Sequence, residues 1–386
     1  MEATPCVARS GGLRRKRRAT PKNVMRKALR FILLLVNIGV AVLFLASTMA
    51  ACVSPDRFVW LSLCSYALLP LLLVNVLFVV FWLLLADKAF LISALCIVLR
   101  CTFVPLYFQF EGAADASSNP TLRVATFNTH HLYGYDLESN SITQGMIDTN
   151  SMEFLRIVDT LQPDVLCLQE FTASGRRVRL HDSLQAKGYV HSVGARPGKS
   201  RNGTAIYSRY PLENVIFIDS AAKIKADVVS EAGVVTLFCV HLASYKLDKS
   251  DYQYIDELSH GTGSADSIRG TVAKFRHVAE CHAAEWESLR PLIDSASHPV
   301  VVAGDFNDTP ASYIYQHLRR RVKDSYCQHG SGFGTTYHGR FPAFRIDYIL
   351  HSPSLRTLSY HRVRTDISDH YPIMAVLEQS VAKPKT

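Results

Sequence analysis

Between residues 31 and 110 the chain is an almost unbroken apolar sequence, and this stretch limits what it can become more than any other. Three runs make it up, 31–53, 59–86 and 89–110, separated only by Ser54-Pro55-Asp56-Arg57 and Asp87-Lys88. Each reaches the roughly 20 residues that cross a bilayer's hydrocarbon core as a helix, which predicts a membrane anchor of about three transmembrane helices. A secretory signal is the competing reading of the first run, but that run is long, lacks a small-residue cleavage site and is followed by two more. Arg100 falls near the middle of the third run, where a charge must snorkel, pair or line a wet surface. A re-entrant or interfacial third segment is the alternative. Arg14, Arg15, Lys16, Arg17 and Arg18, with Lys22, Arg26, Lys27 and Arg30, assign residues 1–30 to the cytoplasm by the positive-inside rule. Three crossings would then carry everything after residue 110 out of the cytoplasm, with the bilayer as partner of the helices and no obligate protein partner.

Residues 111–120, with Ala, Ser, Gly, Asn and Pro, read as a flexible linker. Residues 121–386 leave enough chain for one domain with its own core. The chain's net charge of +9 suggests a nucleic-acid binder only until it is divided. Residues 1–110 hold 13 of the 42 Lys/Arg and 3 of the 33 Asp/Glu, leaving 29 against 30 for the remainder. A near-neutral domain lacks the basic face that supplies non-specific nucleic-acid affinity. The clusters Arg176, Arg177, Arg179 and Arg319, Arg320, Arg321, Lys323 are more often solvated helix faces than phosphate sites. Of the nine cysteines, Cys6, Cys52, Cys64, Cys96 and Cys101 lie in the N-terminal part. Cys167, Cys239, Cys281 and Cys327 show no zinc spacing, and the first two sit inside apolar runs as small core residues.

After the linker, strand and helix signals alternate, which predicts an α/β domain. Helical spacing of Met152, Leu155, Ile157, Val158 and Leu161 marks a helix over 148–161. A shorter helix over 178–187 ends at Gly188, and strands are expected at 205–208 and 215–218. A long helix over 267–294 puts Val272, Phe275, Val278, Ala279, His282 and Trp286 on its inner side.

Polar groups stand at the ends of six strand-like runs. The run 122–127 ends in Asn128, 164–169 in Glu170, and 234–240 in His241. Val300-Val301-Val302-Ala303 leads into Gly304-Asp305-Phe306-Asn307-Asp308. Arg345-Ile346-Asp347 opens Tyr348-Ile349-Leu350, and Ser368-Asp369-His370 precedes the apolar run 371–376. Strand ends are rigid mounts from which side chains can converge. Oxygen-rich clusters suit a hard cation such as Mg²⁺, and imidazole beside them suits proton transfer to phosphate. Taken singly, each has a plainer reading: Asn128 as a turn cap, Glu170 as a surface carboxylate, His241 as a core histidine, Asp347 as a partner of Arg345.

Six such constellations in this order resemble the endonuclease/exonuclease/phosphatase superfamily, over residues 122–377, and the overall look is similar to its membrane-anchored bacterial members. The resemblance implies a four-layer αββα sandwich, deoxyribonuclease-like, preceded by the transmembrane helices, with the catalytic domain at 121–386 on the outer side of a bacterial inner membrane. It implies Mg²⁺ (or Mn²⁺) held by Asn128, Glu170 and Asp369. By the same resemblance Asp305 acts as base on the attacking water, Asn307 donates to phosphate or water, His241 donates to phosphate and the leaving group, and Asp347 orients His370. The i, i+2 spacing of Asp305 and Asn307 on an extended segment would point both the same way.

The expected activity is metal-dependent phosphoester hydrolysis, with a lipid headgroup, nucleotide or nucleic acid as substrate. A tethered endonuclease, a catalytically silent scaffold on the same fold, and a transporter or sensor built on the helices are the alternatives. Residues of smaller weight are His130 and His131 as loop surface, Asn202 as a group within reach of the site with Gly203 as a turn residue, Thr336, Tyr337 and Arg345 as pocket walls or packing between the sheets, and Tyr245, Tyr252 and Tyr254 as an aromatic group after His241.

Overall fold

The computed structural model describes residues 21–110, 114–134, 142–172, 179–194, 203–219, 222–245, 265–339 and 344–379. The basic cluster at 14–18, Arg176, Arg177, Asn202, Tyr252 and Tyr254 lie outside them. The N-terminal part is helical: α1 (Pro21–Met49), α2 (Val59–Tyr66), α3 (Leu68–Leu84) and α4 (Phe90–Leu99), then a 3-10 helix over Cys101–Leu106. Among the described residues only α1 is by itself long and apolar enough to cross a membrane, and α2 with α3 qualifies as one span bent by 65°.

The third apolar run differs from expectation. α4 has 10 residues, about 15 Å of helix at the usual rise, or half a hydrocarbon core. The chain then tightens into the 3-10 helix that contains Pro105, whose missing N–H cannot continue an α-helical ladder. Arg100 therefore caps a helix end instead of sitting in mid-helix, and its Nη2 lies 3.6 Å from Met49 Sδ at the end of α1. Pairings along the bundle fix its directions. Arg30 meets Asp87 at 2.5 Å, Trp82 Nε1 donates to Asn37 Oδ1 at 3.0 Å, and Asn37 Nδ2 donates to Ser93 Oγ at 2.6 Å. So α3 runs back along α1, and α4 runs forward again.

Two mixed six-stranded sheets form the domain that follows. One has the order β13 (Leu355–Arg362), β14 (Ile373–Gln379), β2 (Thr121–Asn128), β3 (Val165–Gln169), β5 (Ala205–Ser208), β4 (His191–Gly194). The other has the order β10 (Lys323–Asp324), β12 (Asp347–His351), β9 (Val300–Asp305), β8 (Gly233–His241), β7 (Lys223–Ser230), β6 (Leu212–Ile218). The pairs β2–β3 and β8–β9 are parallel and the other neighbours antiparallel. A separate ribbon pairs β1 (Phe108–Gln109) with β11 (Gly332–Phe333).

Every residue of β9 is buried because both faces of its sheet are covered, which is why the sequence reads as a continuous apolar run with no polar alternation. Val301 and Ala303 join Leu122, Val124, Val165, Cys167, Leu237 and Cys239 in a core between the sheets. Val300 and Val302 face outward against α7 (Ala265–Asp294) and α8 (Tyr313–Arg319). On the far side α5 (Gln144–Leu161) and α6 (Leu180–Ala186) cover the other sheet through Phe154, Ile157, Val158, Leu180 and Leu184. Helix, sheet, sheet, helix is the expected sandwich. The expected helices recur with ends moved by a few residues; Thr143 caps α5 by accepting from Met146 N–H at 3.3 Å.

The helical N-terminal part is not a separate layer. Ala41, Phe44, Leu68 and Cys96 share one cluster with Trp286, Phe306 and Tyr348 of the domain. A buried ion pair fastens the seam: Arg345 Nη2 donates to both carboxylate oxygens of Asp324 at 2.6 Å, next to α9 (Ser325–His329), and its Nη1 donates to Leu106 O at 3.0 Å. Nor is the described part of the expected linker loose. Asp115 N–H donates to Leu358 O at 2.9 Å, and Ser117 and Asn119 both bond to Glu378 on β14.

Candidate active site

Strand periodicity explains how the site arises. Side chains two apart share a face, so Asn128 continues the inward row of Leu122 and Val124, and His241 that of Leu237 and Cys239. Asp305 continues Val301 and Ala303, and Asp347 precedes Ile349. The apolar core between the sheets thus ends, at one rim, in a row of polar groups. Register aligns them laterally: His241 is the β-partner of Asp305, and Asp305 that of Asp347.

Gly304 makes this alignment possible. Its φ is +153°, and a Cβ there would lie 1.9 Å from Val240 O on the neighbouring strand. Only glycine allows that backbone approach.

Asp305 is fully buried. Its Oδ2 accepts from Asn128 Nδ2 at 2.8 Å, and its Oδ1 accepts from Asn307 N–H at 2.8 Å. His370 Nδ1 donates to Asp347 Oδ2 at 2.9 Å, leaving His370 Nε2 3.8 Å from Asp305 Oδ2. His241 Nε2 lies 3.6 Å from Glu170 Oε1 and 3.9 Å from Asp305 Oδ2, buried and with no hydrogen-bond partner. Asn128 Nδ2 also approaches Glu170 Oε1 at 3.5 Å. Asp305, Asp347 and His370 offer ligand atoms within 4.8 Å of one another.

Burial raises the Asp305 carboxyl above the usual carboxylate range; the nearby imidazole of His370 opposes this and the charge of Asp347 adds to it. For His370 burial alone would favour the neutral ring, but Asp347 and Asp305 outweigh it and hold the imidazole well above its ordinary value. The arrangement therefore sets a buried carboxylate of raised basicity beside a protonated imidazole.

The structure brings Asn128, Glu170, His241, Asp305, Asp347 and His370 together. Asn307 is placed differently from expectation. The strand ends at Asp305, Asn307 takes φ +50°, and its Nδ2 donates to Leu242 O at 3.1 Å. The i, i+2 argument fails because the segment turns there. Asp369 lies 3.6 Å from His130 Nδ1, and His130 N–H donates to Asn128 Oδ1 at 3.0 Å, so it joins the group through His130. Arg345 does not pair with Asp347, having Asp324 as its partner.

Several neighbours carried little signal in the sequence. Thr336 Oγ1 accepts from the N–H groups of Ile346 and Asp347, both at 3.0 Å, which locks the start of β12. Ser368 Oγ donates to Asn128 O at 2.8 Å and accepts from His370 N–H at 3.1 Å, tying two strands at the rim. The Tyr337 ring stands edge-on to His370 at 5.1 Å. His131, expected as loop surface, sits 3.9 Å from Glu170 Oε2. Tyr245 is packed against Phe275 and against Tyr66 from α2. Tyr66 also donates to Asp308 Oδ1 at 2.8 Å, directly after Asn307.

Two mixed sheets with helices outside and an acid–imidazole row at the rim define a deoxyribonuclease I-like fold. Residues 125–370, more than half of the chain, match the model of the Endonuclease/Exonuclease/phosphatase family, and the chain belongs to that family. Residues 30–107 match a second model, described as a domain of unknown function. Among solved structures, an endonuclease/exonuclease/phosphatase from Beutenbergia cavernae is 21% identical, covering 68% of this chain and 72% of that one (TM-score 0.44). An AP endonuclease from Archaeoglobus fulgidus is 20% identical, covering 67% and 100% (TM-score 0.45). A 3'-5' exonuclease from Neisseria meningitidis is 20% identical, also covering 67% and 100% (TM-score 0.46). No curated protein was found to match.

Proposed function

We propose that this chain is a membrane-anchored phosphoester hydrolase that depends on a divalent cation. The observation that carries the reading is the convergence of Asn128, Glu170, His241, Asp305, Asp347 and His370 on one rim, within a family whose members are hydrolases of phosphoester bonds. A silent scaffold would not need His241 Nε2 and Asp347 Oδ1 buried without hydrogen-bond partners beside one another's neighbours. Such atoms are costly unless a ligand completes them.

The carboxylate and amide oxygens gathered at the rim are the donor chemistry that a hard cation takes. Glu170 is the principal ligand in this reading, with Asn128 and Asp369 beside it. Bound there, Mg²⁺ or Mn²⁺ would neutralise charge building on the phosphate oxygens. Asp305, its basicity raised by burial, accepts the proton of the attacking water. Asn128 and the Asn307 N–H hold that carboxylate in place. Protonated His370, oriented by Asp347, binds a phosphate oxygen, and His241 presents its free Nε2 to phosphate or to the leaving oxygen. The near-neutral domain disfavours a nuclease that works by general backbone attraction. In the bilayer, α1 and the bent α2–α3 pair are the candidate crossings, and the domain stands opposite the basic N-terminus only if α4 with the 3-10 helix completes a third.

The test uses full-length protein in detergent with Mg²⁺ or Mn²⁺ and bis-p-nitrophenyl phosphate. Hydrolysis should need the metal, stop with chelator, and fall about a hundred- to ten-thousandfold in Glu170→Ala and His370→Ala. Unchanged turnover in both variants would overturn the assignment.

A further inference from the structure

Next to the rim lies a groove of about 680 Å³ that the hydrolytic site does not use. Its size is that of a small-molecule site. One wall is the β1–β11 ribbon. Phe108 packs edge-on against Phe110 at 5.3 Å and against Phe333 at 5.1 Å, yet Phe110 is 87% and Phe333 63% exposed. The other wall carries Arg362 and Arg364. Arg362 Nη1 donates to Thr335 O at 2.8 Å and to Phe333 O, so a guanidinium is fixed beneath the ribbon. The floor adjoins the site: Tyr371, directly after His370, lines the groove and stacks on the His338 ring at 4.1 Å, and His338 N–H donates to Asp369 O at 2.9 Å.

The position of this groove relative to the helices decides what it can hold. Phe108 follows the last residue of the 3-10 helix by two positions, and Leu106 and Tyr107 are buried in the cluster shared with α1, α3 and α4. The phenyl rings therefore stand where the apolar anchor ends and the domain begins. Rings left open to water there gain by entering the headgroup–acyl boundary, and arginines beside them attract phosphate.

Resting on the hydrolase reading above, we propose that the groove binds the acyl-glycerol portion of a bilayer phospholipid and delivers its phosphate to Asp305 and His370. The substrate class is then a phospholipid of the leaflet on the domain's side. Hydrolysis joins a water oxygen to phosphorus and breaks the P–O bond to glycerol. The water's proton goes to Asp305 and the glycerol oxygen takes one at His241, giving diacylglycerol and a phosphorylated headgroup.

Three measurements on the full chain separate the possibilities. With Mg²⁺ in mixed micelles of phosphatidylglycerol or phosphatidylcholine, diacylglycerol release should be seen. Phe110→Ser with Phe333→Ser should lower the ratio of phospholipid to bis-p-nitrophenyl phosphate turnover at least tenfold, and Arg364→Gln should lower it in the same direction. Independently of catalysis, Phe333→Trp should add to the wild-type fluorescence an increment that nanodiscs of dibrominated phosphatidylcholine quench and unbrominated ones do not. Absence of that extra quenching overturns the groove's contact with lipid. Diester hydrolysis without diacylglycerol, or an equal fall on both substrates, overturns the substrate class while leaving the hydrolase standing. Cleavage of a single-stranded oligonucleotide in place of phospholipid, with the same aromatic dependence, would reassign the groove to base stacking. Loss of diester hydrolysis from the wild type sinks the hydrolase reading and this proposal with it.

Discussion

His282 illustrates how a single residue can carry a solvent-dependent share of the fold. It is buried on α7, with Nδ1 3.1 Å from Asp308 Oδ2 and Nε2 2.8 Å from Ala243 O. Both acceptors are satisfied only when both ring nitrogens carry protons. Burial works against that state, but the Asp308 carboxylate outweighs it, and the imidazole is raised above its ordinary 6.5. A histidine raised on folding stabilises fully below its unfolded value, and the contribution fades as pH climbs through the folded one. His282→Gln should therefore cost about 1–3 kcal/mol near pH 5.5, with the deficit narrowing at alkaline pH. Thermal melts of both proteins across pH would check this, and a pH-independent deficit would refute it. The sequence placed His282 on the inner side of its helix because helical spacing is local information. Its partner was illegible, since Asp308 arrives from another element. Asn128, His241 and Asp305 were legible for the opposite reason: each ends an apolar run, and a strand's period of two puts that last side chain on the row already pointing inward, whereas Glu170, past the end of β3 at φ +48°, is off that row.

At the level of elements, the α2–α3 bend is the join that matters. α2 ends at Tyr66, whose hydroxyl bonds Asp308 and Tyr245 while its ring meets Phe275 and Phe344 at about 6 Å, within the range of edge-on aromatic pairs. A helix of the N-terminal part thereby touches the turn that follows Asp305. Tyr66→Phe keeps the ring and removes the hydroxyl, so it should destabilise by about 1–3 kcal/mol and lower turnover more than KM. Melting and steady-state kinetics in detergent would show this, and wild-type behaviour in both would mean that the contact is incidental. Apolar run length announced three segments in the anchor. It could not announce that the third tightens at Pro105 into a 3-10 helix, because hydropathy does not record which hydrogen bonds a proline removes. The turn at Asn307 escaped for a similar reason: a left-handed residue looks like any asparagine until its neighbours are in place.

For the whole molecule, the shared core means that the N-terminal helices and the domain stabilise each other. Leu106 and Tyr107 are buried among Phe306, Tyr315 and Tyr348, and Arg345 reaches across to Leu106 O. A chain shortened to residues 121–379 would open that cluster and strand part of the Arg345 fork. Its melting point should fall by ten degrees or more relative to the full chain in detergent, given about 2–5 kcal/mol for each large buried side chain lost. Equal stability would show that the domain closes without its anchor. The order of the strands has a consequence for synthesis. β2, the first long strand of the domain, pairs with β14, the last, and His370 lies just before β14. A ribosome therefore releases the final pairing partner only after the rest of the domain has been made, and long-range pairings of this kind form late. Until then the rim groups are scattered along an unfolded thread. The rim is thus a property of the closed fold alone: no shorter stretch of the domain carries it.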